Sequence, residues 1–194
     1  MAKGKIIIIS APSGCGKSTI IGDLIKKEDL NLEFSISATT REPRRGEVDG
    51  KDYYFLTLDE FKKAIKKDEL VEYEEVYEGR FYGTLKKEIV RIQEDGKNVI
   101  LDVDVKGGVN VKQLFGNSAL SIFIQPPSVD ILRHRLLSRG TDSIEAINQR
   151  VEKATYELAF ASRFDKIIVN DILRDAIDET YRIIKEFVTE SNLE

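Results

Sequence analysis

The chain has 194 residues, 41% apolar and 33% charged. At about 150 residues per domain this is one domain with small insertions, long enough to bury about 70% of the surface that an unfolded chain exposes. Lys and Arg number 30 against 34 Asp and Glu, a net charge of −4; this argues against nucleic acid as the partner and leaves room for a local basic patch facing a small phosphorylated ligand.

The N-terminus, Met1 to Lys5 followed by Ile6 to Ile9, superficially resembles a signal peptide. Its apolar stretch is only four residues and runs into Ser10-Ala11-Pro12-Ser13-Gly14, so that reading is rejected. No apolar run approaches the roughly 18–20 residues of a membrane span. One Cys and one His exclude an intramolecular disulfide, a cysteine-cluster zinc site and a two-His metal site, and disfavour His-based acid–base chemistry. A soluble, reduced, cytoplasmic protein without a membrane partner is expected, its oligomeric state left open.

Lys5 to Ser10 is short, β-branched and apolar without alternation, which suits a strand buried on both faces of a parallel sheet. A glycine-containing turn follows, then a helix over Ser18 to Lys27. Phe34 to Gly83 carries most of the Tyr residues and many charges and reads as an insertion of short antiparallel strands. Within it Thr57-Leu58-Asp59-Glu60 resembles a capping box opening a short helix. Helices are expected at Thr84 to Glu94, Ser128 to Ser138, Ser143 to Ala161 and Leu173 to Thr189, and strands at Asn98 to Val103, Ala119 to Ile124 and Asp165 to Asn170. This β-then-α alternation implies a parallel sheet flanked by helices.

The strongest local signal is Ala11-Pro12-Ser13-Gly14-Cys15-Gly16-Lys17-Ser18, followed by Thr19. It lies between an expected strand and an expected helix, the context that a phosphate-binding P-loop requires. Its glycines let successive N–H groups point inward at phosphate oxygens, and the helix N-terminus adds partial positive charge there. Lys17 is then placed for the β- and γ-phosphates and Ser18 for Mg²⁺. The usual pattern begins with Gly; Ala11 is acceptable only if its φ stays below zero. Cys15 reads as a small loop residue rather than a nucleophile. The overlapping Gly14-Cys15-Gly16 lacks the later glycine of a dinucleotide fingerprint.

Ser37 to Tyr53 packs basic and hydroxyl groups beside a Gly- and Pro-containing turn. Arg presents a planar fork matched to phosphate, so Arg41 and Arg44 are candidates to clamp one dianion, with the Tyr53 hydroxyl as a further donor. Taken alone, such a stretch reads first as an ordinary solvated charged loop.

With these residues the sequence resembles guanylate kinase. The run from Ser37 to Tyr53 is similar to that family's GMP-binding signature. The resemblance continues through Glu72, Tyr82-Gly83-Thr84, Leu101-Asp102-Val103-Asp104, Pro126-Pro127-Ser128, Arg135 to Thr141 and Val169-Asn170-Asp171. It implies an α/β P-loop nucleoside kinase fold: a parallel sheet flanked by helices, an inserted mixed α+β GMP-binding segment and a helical lid. The implied division is a core of residues 1–36, 84–138 and 161–194 for ATP, an insertion 37–83 for GMP and a lid 139–160.

The resemblance also implies roles. Arg41, Arg44, Tyr53 and Tyr82 hold the GMP phosphate; Ser37, Glu72, Thr84 and Asp104 read guanine. Chemistry agrees, since carboxylates accept the guanine N1–H and N2–H pair and hydroxyls can serve O6. On AMP such carboxylates would be left unpaired, at about 1–3 kcal/mol or more each. Thr84 stands where Ser is common, and Lys106-Gly107 where Gln-Gly is familiar. Asp102 resembles the carboxylate near Mg²⁺, held with Ser18 largely through water, although an Asp at a strand end is otherwise often a helix N-cap. Lys17, Arg41, Arg135, Arg139 and Arg150 match the charge-stabilising residues, and Asn170-Asp171 the segment beside the ATP adenine. Arg133 and His134 are read as ordinary surface residues.

The expected reaction is ATP + GMP ⇌ ADP + GDP with Mg²⁺ and no covalent enzyme intermediate, with dGMP as a related acceptor. The rivals are a non-catalytic guanylate-kinase-like protein-interaction module, a kinase for AMP or dTMP, and a regulatory P-loop GTPase. An intact Gly16-Lys17-Ser18 argues against the first, the Glu72 and Asp104 pair against the second, and missing switch motifs against the third.

Overall fold

Isoleucines at four successive positions cannot alternate between core and water, and Ile6–Ser10 (β1) is buried throughout. In the computed structural model, which describes residues 3–138, 140 and 143–190, the chain continues through Lys17–Leu24 (α1), Leu32–Phe34 (β2), Ala38–Thr39 (β3), Tyr54–Phe55 (β4), Leu58–Lys66 (α2), Leu70–Tyr77 (β5), Arg80–Leu85 (β6) and Lys86–Glu94 (α3). It then runs through Asn98–Asp102 (β7), Val105–Phe115 (α4), Ala119–Gln125 (β8), Val129–Ser138 (α5), Ile144–Leu158 (α6), Lys166–Val169 (β9) and Leu173–Thr189 (α7). The expected α/β class with a parallel sheet is present: its strand order is β2-β7-β1-β8-β9, and a second sheet runs β4-β3-β6-β5.

Contacts group the chain into two compact units, one spanning Glu33–Ile100 with the residues leading to Lys5, the other Ile6–Leu32 with Leu101 onward. In the second unit β1 pairs parallel with β8, Ile6 opposite Ala119 and Ser10 opposite Phe123. β8 pairs parallel with β9 in turn. Val105, Val109, Phe123, Ala161 and Phe164 form a buried cluster there.

The first unit is built on the second sheet. Antiparallel β5 and β6 place Glu72 opposite Thr84, and β6 pairs antiparallel with β3. Ala38, Phe61, Ala64, Leu70, Phe81 and Leu85 make its core. The expected capping box is present: Glu60 N–H donates to the Thr57 hydroxyl at 3.2 Å, and Thr57 N–H donates to the Glu60 carboxylate at 2.8 Å. Gly83 is required by close approach, because a Cβ there would lie 2.8 Å from the Glu72 carbonyl oxygen and 3.1 Å from the Phe61 ring.

Three expectations are corrected. The inserted strands are not all antiparallel, since β3 and β4 run parallel; the loop from Thr40 to Tyr53 is long enough to return the chain in the same direction. Thr84 lies in a strand rather than opening a helix, as β6 extends to Leu85 and α3 begins at Lys86. Helix α4 was not expected, its glycines and valines being poor helix formers. It forms because Asp104 caps it and Val105, Val109 and Val111 are buried, so packing outweighs propensity.

Phe61 is fully buried, with its ring 5.3 Å from Phe81. Phe61→Ala is expected to lower unfolding free energy by about 3–5 kcal/mol. Leu114→Ala, at a 60% exposed position, should change it by less than about 0.5 kcal/mol. Denaturant midpoints compare the two.

Candidate active site

In the second unit the loop after β1 turns through Cys15 N–H donating to the Pro12 carbonyl at 3.2 Å. Gly14 and Gly16 adopt positive φ, and Gly16 caps α1 at φ 85°. A side chain at Gly16 would also put Cβ 2.5 Å from the Asn170 amide nitrogen. That amide donates to the Cys15 carbonyl at 2.8 Å, so buried Asn170 fixes the loop from behind. Ala11 is not among the positive-φ residues, and its Cβ is therefore tolerated. Cys15 is buried, whereas Ser18 and Thr19 are exposed on the first turn of α1. Positive-φ glycines directly before a helix N-terminus are the kind of backbone on which N–H groups can converge on an anion.

Lys17 forms an ion pair with Asp102 at the end of β7. Asp104, two residues on, caps α4 by accepting the Gly107 N–H at 2.6 Å. Arg135 on α5 donates to the carbonyls of Asn170 at 2.7 Å and Asp171 at 2.9 Å. Arg150 is half-buried on α6. Arg139 lies outside the described residues, as do Thr141 and Asp142 of the expected lid.

In the first unit Arg41 is nearly enclosed, its side chain 8% exposed. Nη1 donates to Glu47 Oε2 at 2.7 Å and to the Glu42 carbonyl at 2.8 Å, and Nη2 donates to Glu47 Oε1 at 3.0 Å. The guanidinium lies over the rings of Tyr53, at 5.1 Å, and Phe55, at 5.6 Å. Tyr82 meets Tyr53 edge-on at 6.0 Å. Nε is buried with no hydrogen-bond partner among the described residues. Glu47 thus occupies the end of the fork and leaves Nε as a buried donor without a partner among the described residues. Arg44 is exposed, and its N–H donates to Glu47 at 2.6 Å. Glu72 accepts the buried Thr84 hydroxyl at 2.7 Å. Ser37 is half-buried, its carbonyl accepting Tyr54 N–H at 2.9 Å.

Of the residues expected to bind one monophosphate, Arg41, Tyr53 and Tyr82 are brought together, and so are Glu72 and Thr84. Asp104 belongs to the other unit. Two carboxylates were missed. Glu47 orients Arg41, and its carboxyl is drawn from the ordinary 4.5 to about 2, first by the Arg41 hydrogen bonds and then by the Arg44 N–H. No periodic pattern marks it; only its place in the signature loop does. Glu157 on α6 is buried, with Oε2 unpartnered among the described residues. Burial pushes its carboxyl up, against the attraction of Lys153 and Lys17 and the Ser13 N–H; nearby Asp104 adds to the rise. Its signal was helical spacing, since it follows buried Ile147 and Ala154 along one face.

The guanylate kinase family model matches residues 3–191. The chain is 54% identical over 186 residues to a guanylate kinase of Bacteroides fragilis, covering 96% of this chain and 91% of that protein. It is 53% identical over 184 residues to a guanylate kinase of Porphyromonas gingivalis, covering 95% and 98%. Among solved structures it is similar to guanylate kinase from Anaplasma phagocytophilum, with a TM-score of 0.77 and 30% identity over 98% of this chain and 89% of that one.

The two missed carboxylates carry opposite pH signatures. A depressed carboxyl stabilises the fold above its unfolded value and loses that contribution as pH falls toward its folded value. Glu47→Gln is therefore expected to lower stability at pH 7, the deficit shrinking between about 4.5 and about 2. A raised carboxyl disfavours the charged folded state at neutral pH. Glu157→Gln is expected to raise stability at pH 7 and to converge with wild type below the ordinary carboxylate value of 4.5. Melting temperature against pH checks both signs.

Proposed function

Because the chain belongs to the guanylate kinase family, we propose that it transfers the γ-phosphoryl group of ATP to GMP, giving ADP and GDP, by direct in-line displacement. The observation that carries this reading is Arg41: a guanidinium already desolvated, locked by Glu47 and two aromatic rings, with an unpartnered Nε. A buried donor left unsatisfied costs about 1–3 kcal/mol, and a phosphate dianion removes that cost. Tyr53, Tyr82 and Arg44 complete the phosphate cradle. Glu72, steadied by Thr84, accepts the guanine N–H pair together with Asp104, and Ser37 supplies a further hydroxyl; dGMP is accepted with GMP.

On the donor side the loop from Ala11 to Thr19 cradles the ATP phosphates, and Lys17 leaves Asp102 to meet the β- and γ-oxygens. Asn170 and Asp171 border the adenine. Hard oxygen donors suit Mg²⁺, which keeps several waters and takes only one or two protein ligands. The exposed Ser18 hydroxyl and the Asp102 carboxylate fit that demand and would hold the ion, largely through water. When bound, Mg²⁺ supplies charge neutralisation on the phosphate oxygens.

The GMP phosphate oxygen attacks the γ-phosphorus while Lys17, Arg41, Arg135, Arg139 and Arg150 stabilise the charge that develops; cationic groups in this role are worth 10³-fold or more, roughly 4 kcal/mol. The core 1–36, 84–138 and 161–194 serves ATP, 37–83 serves GMP, and 139–160 acts as the lid that excludes water, which would otherwise take the phosphoryl group. No described helix is long and apolar enough to cross a membrane.

In a coupled ADP-release assay with ATP and Mg²⁺, GMP is expected to outperform AMP, CMP and dTMP as acceptor. Preference for any other base removes the Ser37, Glu72, Thr84 and Asp104 assignment. Lys17→Met is expected to reduce turnover by about a hundredfold or more; a loss within tenfold contradicts the placement of charge stabilisation.

A further inference from the structure

Helix α3 carries a carboxylate where its apolar stripe predicts an apolar side chain. Leu85, Ile89 and Ile92 are buried on one face, and Glu88 is on that face too, 2% exposed. Burying an ionised carboxylate is costly unless it is paired and hydrogen-bonded. Glu88 is both. Arg91 donates to it through Nε at 3.1 Å and through Nη2 at 3.2 Å. Arg91 is itself held by Glu33 at 2.6 Å, and Glu33 by Lys97 at 2.5 Å. Despite burial, these partners hold the Glu88 carboxyl below its ordinary value, so it stays charged at neutral pH.

The remaining lone pairs of Glu88 point at two segments distant in sequence. The Tyr54 hydroxyl donates to Oε1 at 2.8 Å, and the Ile36 N–H donates to Oε2 at 3.4 Å. Ile36 directly precedes Ser37, and Tyr54 directly follows Tyr53. The two segments are also joined to each other, since Tyr54 N–H donates to the Ser37 carbonyl at 2.9 Å. Lys87 lies 4.9 Å from the centre of the Tyr54 ring. One buried carboxylate therefore holds the backbone just before Ser37 and the side chain just after Tyr53. An apolar residue of equal volume would fill the space without setting either hydrogen bond.

We infer that Glu88 is a positioning residue for the monophosphate site: it sets the register of Ile36 and the orientation of Tyr54, and through them the placement of Ser37 and Tyr53 toward GMP. The inference rests on the functional reading above. It adds a residue that touches neither substrate, and its effect falls on one substrate alone.

The test is steady-state kinetics with each substrate varied in turn, on wild type, Glu88→Gln, Tyr54→Phe and the double variant. Glu88→Gln keeps the volume and removes the charge; Tyr54→Phe removes one hydroxyl. Glu88→Gln is expected to raise KM for GMP by about tenfold, the equivalent of one hydrogen bond to a charged group, with KM for ATP and kcat within about threefold. Tyr54→Phe is expected to raise KM for GMP less, and the double variant no further than Glu88→Gln, because both act through one carboxylate. Should Glu88→Gln fail to fold, Tyr54→Phe and its KM split decide the matter. A folded Glu88→Gln with unchanged KM for GMP, or a Tyr54→Phe that raises both KM values alike, overturns the inference alone. A wild-type chain that does not phosphorylate GMP overturns the functional reading and this inference with it.

Discussion

In the proposed function a cation meant for a phosphate must be held in place before the phosphate arrives, and the Arg41–Glu47 pair holds its guanidinium in that way. Two parallel hydrogen bonds fix the guanidinium plane, and two aromatic rings fix its height. The side-chain entropy of a long flexible residue is lost on folding rather than on binding. The same device recurs in the other unit in weaker forms. Lys17 is held by Asp102, and Arg135 by the carbonyls of Asn170 and Asp171. In the proposed function each holder is an acceptor of modest strength compared with a polyphosphate, so it orients a cation and still yields to the substrate.

These holders depend on backbone geometry set by small residues and by buried polar groups. Gly16 permits both the positive φ of the loop and the close approach of Asn170. Ser10 at the end of β1 donates to the carbonyls of Val103 and Asp104 at 2.9 and 3.0 Å, which ties the segment bearing Asp102 to the strand that launches the loop. Gly108 on α4 lets that helix approach Ser10, since a Cβ there would lie 2.7 Å from the hydroxyl. Electrostatics at the site is thus inherited from packing beneath it.

Legibility followed the range of the physics. The loop from Ala11 to Ser18, the buried strand before it and the Thr57–Glu60 box were readable because each is a local arrangement with fixed spacing. Helix α4 was not, because its stability comes from contacts made after folding and its own residues argue against it. The parallel pairing of β3 with β4 is set by a long loop whose course no local pattern encodes. Glu88 and Glu157 could have been found. Each carries a charge on the apolar stripe of its helix, and such a charge is either an error of assignment or a buried group with partners elsewhere in the chain. Glu47 is different: its role depends on meeting Arg41 across a turn, and only the structure shows that the carboxylate takes the end of the fork and leaves Nε over.

In the proposed function the planar fork of Arg41, not its charge alone, receives the monophosphate. Arg41→Lys separates the two, since lysine keeps the charge and loses the bidentate edge. Calorimetric titration of this variant and wild type with GMP, and separately with ATP, is the direct measurement. GMP affinity is expected to fall by about tenfold or more while ATP affinity is unchanged. GMP affinity equal to that of wild type would mean that charge alone suffices and the fork is not the receptor.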